Sequence, residues 1–200
     1  MELQKQLVIY FIIIFALSKE APNLFRKYNN VFQVGVGKVN SGINTMKLIM
    51  DLKPERVINL GTAGGITVKH GLYRIARVIQ HDVNLTALGL EPGLHLTDKT
   101  AAININDYGA TCGSGDIFVT EPSKLRVACD MVEMEAYSIA KAASICNLET
   151  IVYKYITDKA DNSAPVTWEE EVASGELYYE QALEEVNAKL IHSPHATGNY

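Results

Sequence analysis

A chain of 200 residues has the length of one domain, and its 48% hydrophobic and 20% charged residues exclude a disordered tail, a collagen-like chain and a coiled-coil rod. A formal net charge of −5 gives no field that draws the chain to nucleic acid or an anionic membrane, so the expected partner is a small molecule or a second copy. Three widely spaced cysteines, Cys112, Cys129 and Cys146, make neither a disulfide framework nor a CxxC metal site, and a reducing cytoplasm is the expected compartment.

The first feature along the chain is the apolar run LVIYFIIIFAL at 7–17. It is too short for a membrane span, which needs about 20 residues. It has the length of a signal-peptide core, and Ala16-Leu17-Ser18 passes as a cleavage site, but the leading MELQKQ balances its lysine with a glutamate and makes a poor n-region. A short β-branched run of this kind reads better as a buried parallel strand over 8–15. A short helix is expected over 19–28 and a strand ending in glycines over 31–36. Ser41 can cap the next helix, whose Ile43, Met46, Ile49 and Met50 fall at helical spacing and which should stop before Pro54. Residues 56–60 read as a buried strand running into a turn at 61–65, and 72–80 as an alternating strand. A long loop is expected over 84–107, a strand over 110–119, an alanine-rich helix over 135–146 and a last strand over 150–156. A long helix is expected over 167–190, its acidic start at Glu169, Glu170 and Glu171 suiting the helix dipole.

Strands alternating with helices imply an α/β sandwich with a mainly parallel sheet in one domain over 1–200; no repeat, low-complexity tract or linker interrupts it. Ligands in such sheets bind beyond the carboxyl ends of the strands, and the polar and glycine clusters at 18–20, 35–38, 61–65 and 157–161 stand there. Gly35-Val36-Gly37-Lys38 has neither phosphate-loop spacing nor the GxGxxG pattern, so a tight turn accounts for it as well as an anion site does. The carboxylates say more. Glu20 follows the first buried strand, Glu133 and Glu135 flank Met134 ahead of the alanine-rich helix, and Asp158 and Asp161 follow the last strand. Any one of them alone is explained by surface or capping; together, at three separate places, they point to convergence on one pocket.

These residues fall within stretches that carry a family likeness: FALSKEA (15–21), VGVGKVNSGINT (34–45), VINLGTAGGI (57–66), HDVNLTALGLEPG (81–93), SGDIFV (114–119), VEMEAYSIA (132–140) and YITDKAD (155–161). In this order the sequence resembles the purine nucleoside phosphorylase and nucleosidase superfamily, and within it the methylthioadenosine/S-adenosylhomocysteine nucleosidases. The resemblance implies a three-layer α/β/α sandwich around a mixed, mainly parallel sheet, and a homodimer. It implies that Glu20 activates the attacking water, that Asp158 protonates purine N7 and that Glu135 grips the ribose hydroxyls with Met134 under the sugar. Phe118 matches the ring that stacks on the base, and Val119 the backbone that reads its edge. Thr62 stands where the nucleosidases usually have serine, and Lys154 where they usually have arginine. Ala63, Gly64 and Glu133 belong to the implied substrate site, and Trp168 lines up with an aromatic residue near the base.

The chemistry suits these residue types. A glycosidic bond breaks through an oxocarbenium-like sugar, and an acid at N7 lets the purine leave neutral; general acid–base steps of this kind contribute about 10²–10⁴ each in rate. A carboxylate on the opposite face takes a proton from water, and a third orients the sugar hydroxyls. A phosphorylase would need arginine forks for phosphate, and no arginine lies in the glycine clusters, which favours hydrolysis; a phosphorylase of the same fold and a non-catalytic nucleoside-binding or storage protein are the alternatives. Compared with the family, the stretches 28–31 and 93–110 look trimmed, the second near the family's subunit contact, and Leu88 and Leu90 occupy positions often aromatic. The five histidines (His70, His81, His95, His192, His195) show no metal-ligand spacing, and neither metal nor organic cofactor is expected. His81-Asp82 and the cysteines read as structural, Tyr178 and Tyr179 as core or interface, and 192–200 as a frayed tail.

Overall fold

The FIIIF segment is continuously apolar because helices cover both faces of the sheet it enters. The computed structural model describes residues 10–97 and 101–191. Its strands are β1 (Phe11–Phe15), β2 (Val31–Gln33), β3 (Arg56–Gly65), β4 (Gly71–Gln80), β5 (Ala102–Asn104), β6 (Ala110–Ser114), β7 (Met131–Glu133) and β8 (Glu149–Asp158). Its helices are α1 (Pro22–Lys27), α2 (Lys38–Leu52), α3 (Ala136–Ile145), α4 (Ala164–Glu171) and α5 (Glu176–Ile191). Side chains alternate across a strand. Ile13 and Phe15 therefore pack with Leu24 of α1 and Tyr179 and Leu183 of α5. Ile12 and Ile14 pack with Ile49 of α2 and Ile139 and Ala143 of α3 on the other face.

The sheet is mixed and mainly parallel, as expected. β2, β1, β3 and β8 run parallel in that order. β8 meets β4 antiparallel, β4 and β6 are parallel, β6 and β7 are parallel, and β7 returns antiparallel to β3. The pairings β3–β8–β4–β6–β7–β3 thus close a ring, with β5 antiparallel on β4. Closure removes sheet edges around the strand ends that carry the glycines and carboxylates.

Several local expectations are corrected. The run 61–65 is not a turn: β3 continues to Gly65, paired with β8 from Gly61↔Lys154 to Gly64↔Asp158 with a register shift between Ala63 and Gly64. Its glycines answer to close approach, since a Cβ on Gly64 would lie 2.7 Å from Asp158 Oδ1. α2 starts at Lys38, after Gly37 at φ 90°, and Ser41 is not its cap; its Oγ donates back to the Gly37 carbonyl at 2.8 Å. The helix does end at Leu52, before Pro54.

The helix expected over 167–190 is two, separated around Gly175, which packs tightly on the Tyr179 ring. Glu169, Glu170 and Glu171 fall at the end of α4 rather than at a helix start, so the dipole does not explain them; Glu169 pairs with Lys19 at 3.0 Å. The first expected helix is a 3₁₀ turn, Ser18–Glu20, followed by α1. β6 stops at Ser114, and β2 at Gln33. Strands β5 and β7, three residues each, are too short to show a period. Val8 and Ile9 of the expected first strand, the residues before them, and the tail 192–200 lie outside the described residues. Among the described residues no helix is long and apolar enough to cross a membrane.

Candidate active site

β1 ends at Phe15, and the chain turns through Ala16 and Leu17 into the Ser18–Glu20 turn. This places Glu20, 3% exposed, against the carboxyl half of β3. Thr62 donates to Glu20 Oε1 through both its amide, at 2.9 Å, and its hydroxyl, at 3.0 Å. The Leu17 amide donates to Oε2 at 2.9 Å. Asp158 closes β8, where the Thr157 hydroxyl donates to Oδ2 and the Ala160 amide to Oδ1, both at 2.8 Å. Asp161 sits one turn further on and accepts from Ser163 ahead of α4.

The third carboxylate group lies where β7 runs into α3. Glu133 takes the Glu135 amide at 3.0 Å, the Ala136 amide at 2.9 and 3.0 Å, and the Ser114 hydroxyl. Its oxygens thus satisfy amides at the start of α3 that have no partner within the helix. Lys154 Nζ completes the set at 2.8 Å. Glu135 is free of these donors and takes one bond, from the Gly37 amide at 2.9 Å. The Gly35–Lys38 turn is therefore filled by the protein's own carboxylates: Gly37 serves Glu135, and the Lys38 amide serves Asp116 at 2.7 Å. The Lys38 ammonium is taken by Asp82 at 2.6 Å.

One cavity of about 150 Å³ brings these segments together. Glu20, Thr62, Ala63, Gly64, Phe118, Val119, Glu133, Met134, Glu135, Asp158 and Trp168 all line it. Lys154 does not: it is 2% exposed and lies behind the wall, where a Cβ on Gly61 would stand 3.3 Å from its Nζ and 3.1 Å from Glu20 Oε1. Ala16, Leu17, Val36, Ile117 and Val132 complete the lining. Sequence reasoning passed over them because an apolar wall carries no chemistry that marks it; only their place beside the strand-end clusters signalled it. Leu88 and Leu90 are outside the lining. His81 is buried with its ring against Gly115, and burial lowers its pKa, as befits a packed histidine. Among the described residues no group of three or more His, Cys, Asp or Glu is placed to hold a metal ion.

The charges are divided unequally. Burial raises the pKa of Glu135 to about 8, and the Glu133 charge pushes the same way against the opposing pull of Lys154. Burial acts on Glu133 too, but the Lys154 ammonium and the hydrogen bonds of Ser114 and the Glu135 amide bring it below the ordinary value. Lys154 stays charged: burial works against it, and Glu133 and Glu135 outweigh that. Neighbouring carboxylates with values driven apart in this way are a mark of functional sites.

The chain belongs to the phosphorylase superfamily: the superfamily profile matches residues 23–188. Within that superfamily it is a member of the 5′-methylthioadenosine/S-adenosylhomocysteine nucleosidase family. It is 32% identical over 165 residues to the 5′-methylthioadenosine/S-adenosylhomocysteine nucleosidase of Haemophilus influenzae (strain PittEE), covering 70% of this chain and 72% of the relative. It is also 32% identical over 174 residues to the enzyme of that name from Glaesserella parasuis serovar 5 (strain SH0165), covering 72% and 75%. Among solved structures, native futalosine hydrolase of Helicobacter pylori strain 26695 superposes with a TM-score of 0.79 at 20% identity, over 89% of this chain and 98% of that one. The methylthioadenosine/S-adenosylhomocysteine nucleosidase of H. pylori, solved with butyl-thio-DADMe-Immucillin-A, superposes with a TM-score of 0.78 at 21% identity, over 90% and 99%. These two likenesses concern the fold.

Proposed function

We propose that this chain hydrolyses the N-glycosidic bond of a 5′-thio-substituted adenine nucleoside, methylthioadenosine or S-adenosylhomocysteine, releasing adenine and the thio-substituted sugar. The observation that carries this reading is that Glu20, Glu135 and Asp158, far apart in sequence, line one cavity. Asp158 serves as the acid that protonates purine N7, so that adenine leaves neutral. Glu20 takes a proton from the attacking water on the other side of the sugar. Glu135, once ionised, accepts from the ribose hydroxyls and adds negative charge near the developing oxocarbenium ion, with Met134 packed beneath. Phe118 stacks on the base, and Trp168 meets its ring edge-on with the centroids 6.3 Å apart. Glu133 and Lys154 hold the start of α3, and Glu135 with it, in place.

Hydrolysis is favoured over phosphorolysis by the lining. It contains no arginine, and Lys154, the cation behind it, is committed to Glu133. Glu20 at the water position would also repel phosphate. The protein acts as a homodimer in a reducing cytoplasm. The dimer is supported by the largely exposed Val39, Ile43 and Met50 on one face of α2, with Ile145 of α3 nearby. The compartment is supported by the free cysteines Cys112, Cys129 and Cys146. Adenine release from methylthioadenosine, S-adenosylhomocysteine, adenosine and inosine, followed with and without phosphate, tests the reaction. Phosphate-independent release from the thio-nucleosides is expected; release that requires phosphate would make the chain a phosphorylase.

A further inference from the structure

Trp168 is the only tryptophan in the chain. Its Nε1–H donates to Thr62 Oγ1 at 3.0 Å, across 106 residues of sequence. A threonine hydroxyl has one proton to give and two lone pairs to receive with. With one lone pair filled by the indole, the proton is directed at Glu20 Oε1, 3.0 Å away. The same oxygen takes the Thr62 amide, and the Leu17 amide holds the other. The indole is itself fixed: Phe118 meets it edge-on at 6.3 Å, and the Lys19 ammonium, paired with Glu169, lies 4.2 Å from the ring centroid. A phenylalanine at this position would fill much of the same space and have no N–H to donate.

We propose that Trp168 is a positioning residue for hydrolysis: its indole N–H sets the rotor of the Thr62 hydroxyl, and through it the orientation of the Glu20 carboxylate toward the attacking water. This rests on the reading of Glu20 as the water-activating base. It moves the main role of Trp168 from contact with the base to the water side of the sugar. Geometry of this kind matters because general-base catalysis requires the accepting oxygen within hydrogen-bond reach of the water, and a carboxylate loosely held by its neighbours samples that pose less often.

The test combines Trp168→Phe, Thr62→Val and the double variant, with kcat and KM measured on methylthioadenosine. Trp168→Phe is expected to lower kcat about tenfold with KM within about twofold, and to cost little further in the Thr62→Val background, because both changes act on one chain of hydrogen bonds. A raised KM at unchanged kcat would instead assign the ring to substrate stacking, and independent, multiplicative losses would disconnect it from Thr62; either result overturns the proposal. A second measurement needs no turnover. As the single tryptophan, Trp168 should shift its fluorescence emission in Thr62→Val and recover it in Thr62→Ser, which keeps the hydroxyl; unchanged emission in Thr62→Val overturns the hydrogen bond. Absence of base release by the unmodified protein overturns the assigned reaction and the positioning role with it, whereas base release with multiplicative losses overturns the role alone.

Discussion

The Lys154 ammonium stands 2.8 Å from Glu133 Oε2, with both side chains 2% exposed. Removing one member of such a pair leaves an uncompensated buried charge and costs about 3–5 kcal/mol. Lys154→Met is therefore expected to lower unfolding stability by about that much, read from urea denaturation. Adding Glu133→Gln should recover part of the loss, since the charge it removes is the one left stranded. A single variant as stable as the parent would mean that Glu133 finds another partner.

Glu135 makes both stability and binding depend on pH. Its pKa is raised from 4.5 to about 8 in the folded protein, so between these values the unfolded chain gives up a proton that the fold retains. The stabilisation is complete below about pH 4.5 and is lost as the pH rises through about 8. Relative to Glu135→Gln, which has no such proton, the parent should lose stability across this interval, by at most on the order of 5 kcal/mol. Melting temperatures of the two proteins from pH 5 to 9 check the sign.

The same group should set the affinity for ribosides. The ionised carboxylate accepts on both oxygens and makes the stronger, charge-assisted hydrogen bonds, so riboside binding should tighten as the pH rises through about 8. Glu135→Gln should flatten that profile, and Glu135→Ala should weaken ribosides far more than free adenine. Titration calorimetry with both ligands across pH reads this; equal losses for adenine and riboside would contradict the sugar role.

Asp158→Asn is expected to abolish turnover and leave nucleoside binding within a few-fold. The amide keeps the shape, and the Thr157 hydroxyl at 2.8 Å can reverse its hydrogen bond to accept from it. Gly64→Ala probes the same group from outside. The added Cβ would stand 2.7 Å from Asp158 Oδ1 and 3.1 Å from the Ala160 Cβ, so the acid must shift, and kcat should fall by about tenfold or more, since small misplacements of catalytic groups are costly. Single-turnover adenine release measures both variants.

If α2 supplies a subunit contact, Ile43→Glu places a charge in the centre of its apolar face, 65% exposed in the single chain. Light scattering should show a dimer for the parent and a monomer for the variant, and a monomeric parent would remove the homodimer from the reading.

Where residues act through local pattern, the sequence was legible. The apolar 11–15 run, the strand at 56–60, and α2 with its stop before Pro54 all emerged from periodicity and punctuation. The pattern misled where long-range packing overrode it. Glycines at 61–65 look like a turn, yet they are strand residues whose missing side chains admit Asp158, Ala160 and Val68. The acidic run at Glu169 to Glu171 looks like a helix start, yet it ends α4, with Lys19 as the partner of Glu169.

The sequence by itself determined which residues could do chemistry and at which strand ends they sit, because residue type and period are properties of a few neighbouring positions. The tertiary structure alone decided that Glu20, Glu135 and Asp158 share a cavity, that Lys154 stands behind it bound to Glu133, and that burial raises the pKa of Glu135 to about 8. A carboxylate's charge and aim depend on what lies within a few ångströms of it, and here those neighbours arrive from opposite ends of the chain.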